Sequence, residues 1–183
     1  MDHYLDLKVL PDPEFAEQQL LNALFAKLHR ALGQHGDGEV GVSFPDHGAR
    51  LGSRLRLHGT AQRLDQFMAL NWIQGMRDYC AIGELLPIPA QVQYRAVRRV
   101  QAKSAYNKRK RSITKGWLSE AEALKRIPDT QQKKLTLPYI QLRSLSNGNP
   151  MRIYIEHGPL QDAPQSGCMS TYGLSATATI PWF

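Results

Sequence analysis

Two cysteines, Cys80 and Cys168, are the only thiols in this chain of 183 residues. Two thiols cannot form a disulfide framework, and their spacing matches no zinc site, which is typical of a protein from a reducing compartment. The apolar runs are far shorter than the ~20 residues of a membrane span. The N-terminal segment MDHYLDLKVL also lacks the layout of a signal peptide. We therefore expect a cytoplasmic protein.

Several catalytic signatures are missing as well. The sequence has no HExxH, no CxxC, no Walker loop and no tight acidic cluster. Metal-assisted hydrolysis therefore has little support in the sequence, and we expect no metal and no cofactor.

Acidic residues are absent from one long stretch that is rich in cations. Residues 95–115 contain nine Lys or Arg and no Asp or Glu, out of 23 basic and 16 acidic side chains in the whole chain. Without those nine, the remainder has 14 basic and 16 acidic side chains and a net charge of −2. Such local charge favours docking of a polyanion, nucleic acid first and an anionic membrane surface second.

The basic stretch is predicted to form a helix around residues 105–115. Lys108, Arg111 and Lys115 then lie on one face, and no acidic side chain is placed to form the i,i+4 pairs expected of a solvated helix. The alternative is that this face is simply solvated. Repulsion among cations that have no acidic partners instead favours contact with nucleic acid, which would neutralise them.

The first half of the chain predicts the element order β-α-β-β-α-β. Asp12 is expected to cap the first helix, which should end near Gly33. The predicted elements are a strand at 3–10, that helix, strands at 39–44 and 53–60, a helix at 61–80 and a strand near 81–88. This order matches the ferredoxin-like unit, and we expect an α+β fold.

The second half has a different pattern. Prolines at 87 and 89 predict a boundary between a domain at 1–90 and an RNA-binding half at 91–183. After the basic helix, a capping box from Ser119 to Glu122 predicts a short helix that ends at Pro128. Strands are predicted at 135–146, 151–158 and 170–183, the first two joined as a hairpin across Asn147 and Gly148.

His29 is a candidate catalytic residue. On a helical wheel it lies at the margin of a buried stripe formed by Leu21, Phe25, Leu28 and Leu32. A ribonuclease that uses the 2′-hydroxyl of its substrate needs a base and a proton donor, and histidine titrates near working pH. Pattern alone favours a structural or solvated role for His29, and it gives no reason to single out any of the other five histidines.

Seven segments, in order, resemble the Csy-family CRISPR repeat-processing endoribonucleases of type I-F systems. They are MDHYLDL, LFAKLHR with His29, RVQAKS, KRIPDT, LPYIQLRSLSNG, EHGPLQ, and YGLS with the terminal IPWF. The resemblance implies a ferredoxin-like N-terminal domain and a basic helix that lies along the major groove of a CRISPR repeat stem-loop RNA. It also implies metal-independent cleavage at the 3′ base of the stem, with the product retained among the other subunits of a type I-F surveillance complex.

The resemblance also assigns roles to individual residues. It implies that His29 is the catalytic histidine, Ser144 lies near the attacking 2′-hydroxyl, and Tyr172 orients the imidazole. Arg99 and Gln101 match a pair that reads purine edges, which is chemistry suited to both side chains. The expected RNA-binding residues also include Lys103, Lys108, Arg109, Arg111, Lys115 and Met151.

Two features depart from the family pattern. The family helix is rich in arginine, whereas here lysines replace part of the bidentate phosphate contacts with point charges. Met151 stands where an aromatic side chain would be expected to stack on a base.

We predict a metal-independent CRISPR RNA-processing endoribonuclease that has no membrane partner. The alternatives are a hairpin-binding subunit that does not cut and, third, a DNA-binding regulator.

Overall fold

The structure is a computed structural model that describes residues 1–101, 104–129, 135–143 and 148–183. In the described residues the elements are, in chain order, β1 (His3–Val9), α1 (Glu17–His35), β2 (Gly41–Ser43), β3 (Arg54–Gly59), α2 (Ala61–Ala69), β4 (Cys80–Ile82), β5 (Leu86–Pro87), β6 (Gln93–Arg95), β7 (Val97–Val100), α3 (Ala105–Thr114), α4 (Glu120–Arg126), β8 (Tyr139–Arg143), β9 (Pro150–His157) and β10 (Ile180–Trp182). Helices mixed with antiparallel sheets confirm the α+β class. None of the helices among these residues is both long and apolar enough to cross a membrane.

The N-terminal sheet has the strand order β2-β3-β1-β4, with β5 also paired to β1. Every pairing in it is antiparallel. This is the arrangement predicted from the β-α-β-β-α-β order, with the last strand divided into β4 and β5. Alternating β1 side chains such as Leu5 and Leu7 enter the core, where they join the buried stripe of α1.

The predicted cap of the first helix is wrong. The helix begins at Glu17 with Ala16 at the N-cap. Asp12 instead accepts hydrogen bonds from the backbone N–H groups of Glu14 and Phe15, at 2.8 and 2.9 Å, and so closes a turn before the helix. Asp favours both arrangements because its short side chain reaches nearby backbone donors in either one.

The second helix is shorter than predicted. It ends at Ala69, although its pattern continues to residue 80. Asn71 and Gly75 have φ angles of 51° and 78°, in the left-handed region that cannot continue a right-handed helix. Trp72 and Met76, beyond the end of the helix, are nevertheless buried, so the apolar pattern of this segment marks the core but not the end of the helix.

The second half contains two small sheets. One has the order β7-β9-β8 and the other pairs β10 with β6. The antiparallel β8–β9 pairing confirms the hairpin, although its predicted turn residue Asn147 lies outside the described residues. The strand predicted over 170–183 is wrong apart from Ile180–Trp182. A tight turn occupies its start, where the N–H of Gly173 donates to the carbonyl of Ser170.

The chain divides into two compact units. The larger unit comprises Met1–Arg99 and Leu137–Phe183, and the smaller unit comprises Val100–Thr136. The larger unit thus contains β8, β9 and β10 together with the N-terminal sheet. The boundary near residue 90 stays a prediction about domain organisation.

Candidate active site and nucleic-acid interface

His29 lies on α1 beside the buried stripe and is half-buried. Its Nδ1 is 2.8 Å from the carbonyl oxygen of Thr171. A carbonyl only accepts hydrogen bonds, so Nδ1 carries the proton in this contact. In the neutral ring, Nε2 is then left with a lone pair that can accept a proton.

Tyr172 holds the imidazole from one face. The two rings are stacked, with centroids 4.0 Å apart and planes 6° from parallel. The Tyr172 ring is also stacked on Phe25, one helical turn before His29, with centroids 6.4 Å apart. The imidazole therefore has a hydrogen bond in its plane and an aromatic surface on its face, which together restrict its rotation.

The turn that carries Tyr172 is fixed by its neighbour Gly173. Gly173 has a φ angle of 68°, which disfavours any residue with a side chain. A Cβ atom there would lie 2.2 Å from Cγ2 of Val42. The carbonyl of Gly173 accepts the N–H of Val42 at 2.8 Å. Glycine thus lets the turn lie directly against β2.

A cavity of about 430 Å³ opens beside His29, between α1 and β8. Two polar contacts join these elements: Gln141 donates its N–H to Oδ1 of Asn22 at 2.9 Å, and Gln18 donates to the carbonyl of Tyr139 at 3.2 Å. The lining residues are Asn22, Ala23, Ala26, His29, Arg30, Gln141, Leu142 and Arg143. The small alanines leave room at the helix surface, and the two arginines make the cavity suitable for a phosphate.

Ser144, the predicted aligning serine, lies outside the described residues. It follows Arg143 directly in the sequence. Lys103 also lies outside the described residues. The roles implied for these two residues stay predictions.

The Arg99 side chain lies against Tyr172 and Met151. Its guanidinium carbon is 5.1 Å from the centre of the Tyr172 ring, and its Nη2 is 3.7 Å from Sδ of Met151. Its Nε is buried and has no hydrogen-bond partner in the described part of the chain. The structure therefore brings Arg99, Met151, Tyr172 and His29 together. Gln101 is exposed and belongs to the smaller unit.

The basic helix is confirmed as α3. Ser104 caps it by accepting the N–H of Asn107 at 3.1 Å. Lys108, Lys110, Arg111 and Lys115 are all exposed. Over residues 104–129, no carboxylate lies within ion-pair distance of any of these four side chains. The predicted unpaired face is therefore present.

Three other cations of the basic stretch have partners inside the protein. Arg109 donates to the carbonyl of Ile127 at 2.7 Å and to Asp129 at 2.9 Å. Its side chain is only 12% exposed. Arg98 pairs with Glu156, and Arg95 donates to the carbonyl of Gly158. The sequence could not reveal these contacts because each partner lies at least 18 residues away.

Two other histidines, the buried His58 and the half-buried His157, have lowered pKa values. Burial lowers the pKa of His58 to about 3, and its Nε2 lies 2.8 Å from the hydroxyl of Ser43. Burial also lowers the pKa of His157 to about 3, with smaller contributions from His47 and Arg95. The His157 ring is stacked on His47 with centroids 3.7 Å apart. Both imidazoles are neutral at working pH.

No group of three or more His, Cys, Asp or Glu side chains in the described ranges is arranged to hold a metal ion. The cavity between α1 and β8 is lined by two arginines, two amides, three apolar side chains and His29 as its single histidine. Such a set suits an anion rather than a divalent cation.

Comparison with known proteins agrees with the resemblance over the whole chain. The profile of the family described as CRISPR-associated protein (Cas_Csy4) matches residues 4–183. Two proteins named CRISPR-associated endonuclease Cas6/Csy4 are each 48% identical to it, one from Escherichia coli (strain UTI89 / UPEC) over 184 residues and one from Pseudomonas aeruginosa (strain UCBPP-PA14) over 187 residues. Both alignments cover 100% of this chain and of the relative. The chain therefore belongs to the Cas_Csy4 family of CRISPR-associated proteins.

Proposed function

We propose that this protein is an endoribonuclease that binds the CRISPR repeat stem-loop and cuts precursor CRISPR RNA at the 3′ base of the stem. The observation that carries this proposal is the held imidazole of His29. Its Nδ1 faces the Thr171 carbonyl and its ring is stacked on Tyr172, at the wall of a cavity with two arginines. The names of the two relatives, both CRISPR-associated endonucleases, support the same activity.

The reaction uses the RNA's own 2′-hydroxyl as the nucleophile. Nε2 of His29 accepts the hydroxyl proton while the 2′-oxygen attacks the adjacent phosphorus. The bond from phosphorus to the 5′-oxygen then breaks, and that oxygen takes up a proton. The products are a 2′,3′-cyclic phosphate and a 5′-hydroxyl. Because the nucleophile is internal, no metal-bound water is required.

The surrounding residues align the reactants and balance charge. Tyr172 keeps the imidazole in place, and Ser144 is proposed to align the 2′-hydroxyl. Arg30 and Arg143 line the same cavity and offer guanidinium groups to the phosphate as negative charge builds on it. His29 either acts as the base or passes the proton to the leaving oxygen.

RNA recognition is proposed to divide between two sets of residues. Arg99 and Gln101 read base edges at the foot of the stem, and Met151 packs its thioether where a base would stack. Lys108, Arg111 and Lys115 contact phosphates without reading the sequence. Arg109, whose guanidinium is engaged by Ile127 and Asp129, supports the helix from within the smaller unit. We further propose that the enzyme acts in the cytoplasm and stays bound to its product among other subunits of the surveillance complex.

A cleavage assay with a cognate repeat hairpin tests this proposal. We expect cutting in excess EDTA, no cutting when the nucleotide before the scissile phosphate is 2′-deoxy, and a cyclic phosphate on the upstream product. An RNA that stays intact while bound would show a hairpin-binding subunit that does not cut. Preference for duplex DNA over the stem-loop would instead indicate a DNA-binding regulator.

A further inference from the structure

A second cavity, of about 290 Å³, adjoins the same helix at its C-terminal end. It is lined by Lys27, Arg30, Ala31, Gln34, His35, Leu70 and Trp72. Arg30 therefore lines both this cavity and the one beside His29. Lys27, Arg30 and Gln34 recur at helical spacing, so they form a polar stripe along one face of α1. The stripe continues from the cavity beside His29 into the second cavity.

The second cavity is rich in hydrogen-bond donors and poor in acceptors. Across the four described ranges of the chain, no carboxylate lies within ion-pair distance of Lys27 or Arg30. Nε of Arg30 donates to the carbonyl of Ala26 at 3.2 Å, and its terminal nitrogens and the Lys27 ammonium are left for other acceptors. Cationic donors of this kind favour a ligand that supplies acceptor oxygens and negative charge.

The end of α1 does not repel such a ligand strongly. The last carbonyls of a helix carry partial negative charge. Here Nη2 of Arg63 donates to the carbonyl of His35 at 2.6 Å, and the N–H of Gly36 donates to the carbonyl of Leu32 at 2.9 Å. These donors occupy two of the four free carbonyls, so the cationic side chains dominate the wall of the cavity.

The position of this cavity relative to the proposed cleavage site indicates which part of the RNA would occupy it. Arg99 and Met151 lie with Tyr172 on one side of His29, and neither lines the second cavity. We propose that the second cavity binds a phosphodiester of the single-stranded RNA on the 3′ side of the scissile phosphate. Lys27 and Arg30 contact its oxygens, and Leu70, which is 40% exposed, offers an apolar surface to a base. This inference rests on the proposed function, because cleavage at the 3′ base of the stem means that the RNA beyond the scissile phosphate is single-stranded.

The test compares two hairpin RNAs that are blocked against cleavage by a 2′-deoxy nucleotide at the scissile position. The short RNA ends one nucleotide beyond the scissile phosphate, and the extended RNA continues for several more nucleotides. The wild-type protein should bind the extended RNA more tightly. The logarithm of its affinity should also fall more steeply with the logarithm of salt concentration, by about 0.7 for each single-strand phosphate contact.

Lys27→Met keeps the apolar stem of the side chain and removes its charge. We expect the ratio of extended to short affinity to fall by roughly threefold to tenfold, and the difference in salt slope to shrink by about 0.7. Lys27→Arg should restore both quantities because it returns a cation. Lys8→Met, an exposed lysine on β1, is the matched control and should keep the wild-type ratio.

Two results would overturn the inference: a ratio that Lys27→Met does not change, or an equal loss of affinity for both RNAs. Parallel cleavage of the all-ribose extended RNA separates this failure from failure of the proposed function. If the wild-type protein cuts that RNA while the ratio is independent of Lys27, only the second cavity is wrongly assigned. If it neither binds nor cuts the hairpin, the proposed function and this inference fall together.

Discussion

The larger unit holds His29 by packing, whereas the smaller unit presents Lys108, Arg111 and Lys115 from a helix that covers little core. Around His29, Phe25, Leu28 and Leu32 are fully or almost fully buried. In the described part of the smaller unit the buried apolar side chains are Ala105 and Ala123, while Tyr106 and Trp117 are each 63% exposed. The chemistry proposed for His29, which depends on sub-ångström geometry, would thus lie in the well-packed unit, and the charge-dependent contact proposed for α3 in the thinly packed one.

The contrast predicts that substitutions in the two units affect different measurements. A change in the packing around His29 in the larger unit should alter the rate of cleavage or the free energy of unfolding. A change on the exposed face of α3 should alter affinity and its dependence on salt.

His29→Ala should reduce the rate of cleavage by about 10²- to 10⁴-fold at saturating protein, because it removes the group that transfers the proton. Hairpin affinity should stay close to wild type, since the imidazole contributes little to ground-state binding. Single-turnover cleavage and a separate binding titration measure the two quantities. The control is His3→Ala, on β1 and away from the cavity. Cleavage at the wild-type rate by the His29 variant would remove the central residue of the mechanism.

Gly173→Ala should lower the free energy of unfolding by about 2–5 kcal/mol. This sums about 1–2 kcal/mol for a left-handed residue with a Cβ and about 1–3 kcal/mol for overpacking against Val42, whose Cγ2 would lie 2.2 Å from that Cβ. Cleavage should also slow, because the turn carries Tyr172. Urea unfolding and single-turnover cleavage measure both effects.

The matched control for that variant is Gly148→Ala in the same unit. Gly148 has a φ angle of 69°, and a Cβ there would meet nothing within 4 Å. It should therefore show only the backbone part of the loss, with no change in cleavage. Equal losses at both glycines would mean that the turn at Gly173 can shift away from β2 without disturbing Tyr172.

The turn around Gly173 also shows what the sequence could not predict. The apolar spacing of α1 correctly placed Phe25 and Leu28 in the core and His29 at its margin, because helical periodicity is a local property. The contact of His29 with Thr171 joins residues 142 positions apart, and no local pattern encodes such a contact. The role of Tyr172 came from resemblance alone, and the strand predicted there is in fact a turn.

The basic stretch shows the same limit. The sequence correctly indicated a helix around residues 105–115 and its unpaired face, both of which depend on neighbouring residues. It did not indicate that Arg98 pairs with Glu156 or that Arg109 pairs with Asp129. Local charge density therefore overstated the number of cations available to RNA.

Acid should destabilise the larger unit selectively. The pKa values of His58 and His157 are lowered to about 3 by burial, whereas an unfolded histidine titrates near 6.5. Between these values the unfolded chain binds more protons than the folded one, so stability is complete above about pH 6.5 and falls as pH drops toward 3. Each histidine should contribute ~1.4 kcal/mol per pH unit within that window.

Urea unfolding at pH 7.5 and at pH 5.5 measures this loss. His157→Phe removes one of the titrating groups and should reduce the difference between the two pH values; His47, whose pKa burial also lowers, contributes to what remains. The smaller unit contains no histidine, so hydrogen exchange in α3 and α4 should respond less to acid than exchange in β3. An equal response in both units would contradict the separation.

Lys108→Gln with Arg111→Gln should weaken binding to every stem-loop alike, because phosphate contacts do not read sequence. Each lost duplex phosphate contact should flatten the salt slope by roughly 0.9. The matched control is Lys125→Gln with Arg126→Gln, which removes two exposed charges from α4 of the same unit. Affinity for a cognate and an unrelated hairpin, each measured over a range of salt, separates the two double variants. If both double variants flatten the salt slope equally, the net charge of the smaller unit attracts the RNA and the face of α3 is not a defined contact surface. A larger change for the α3 double variant would place the phosphates on that face.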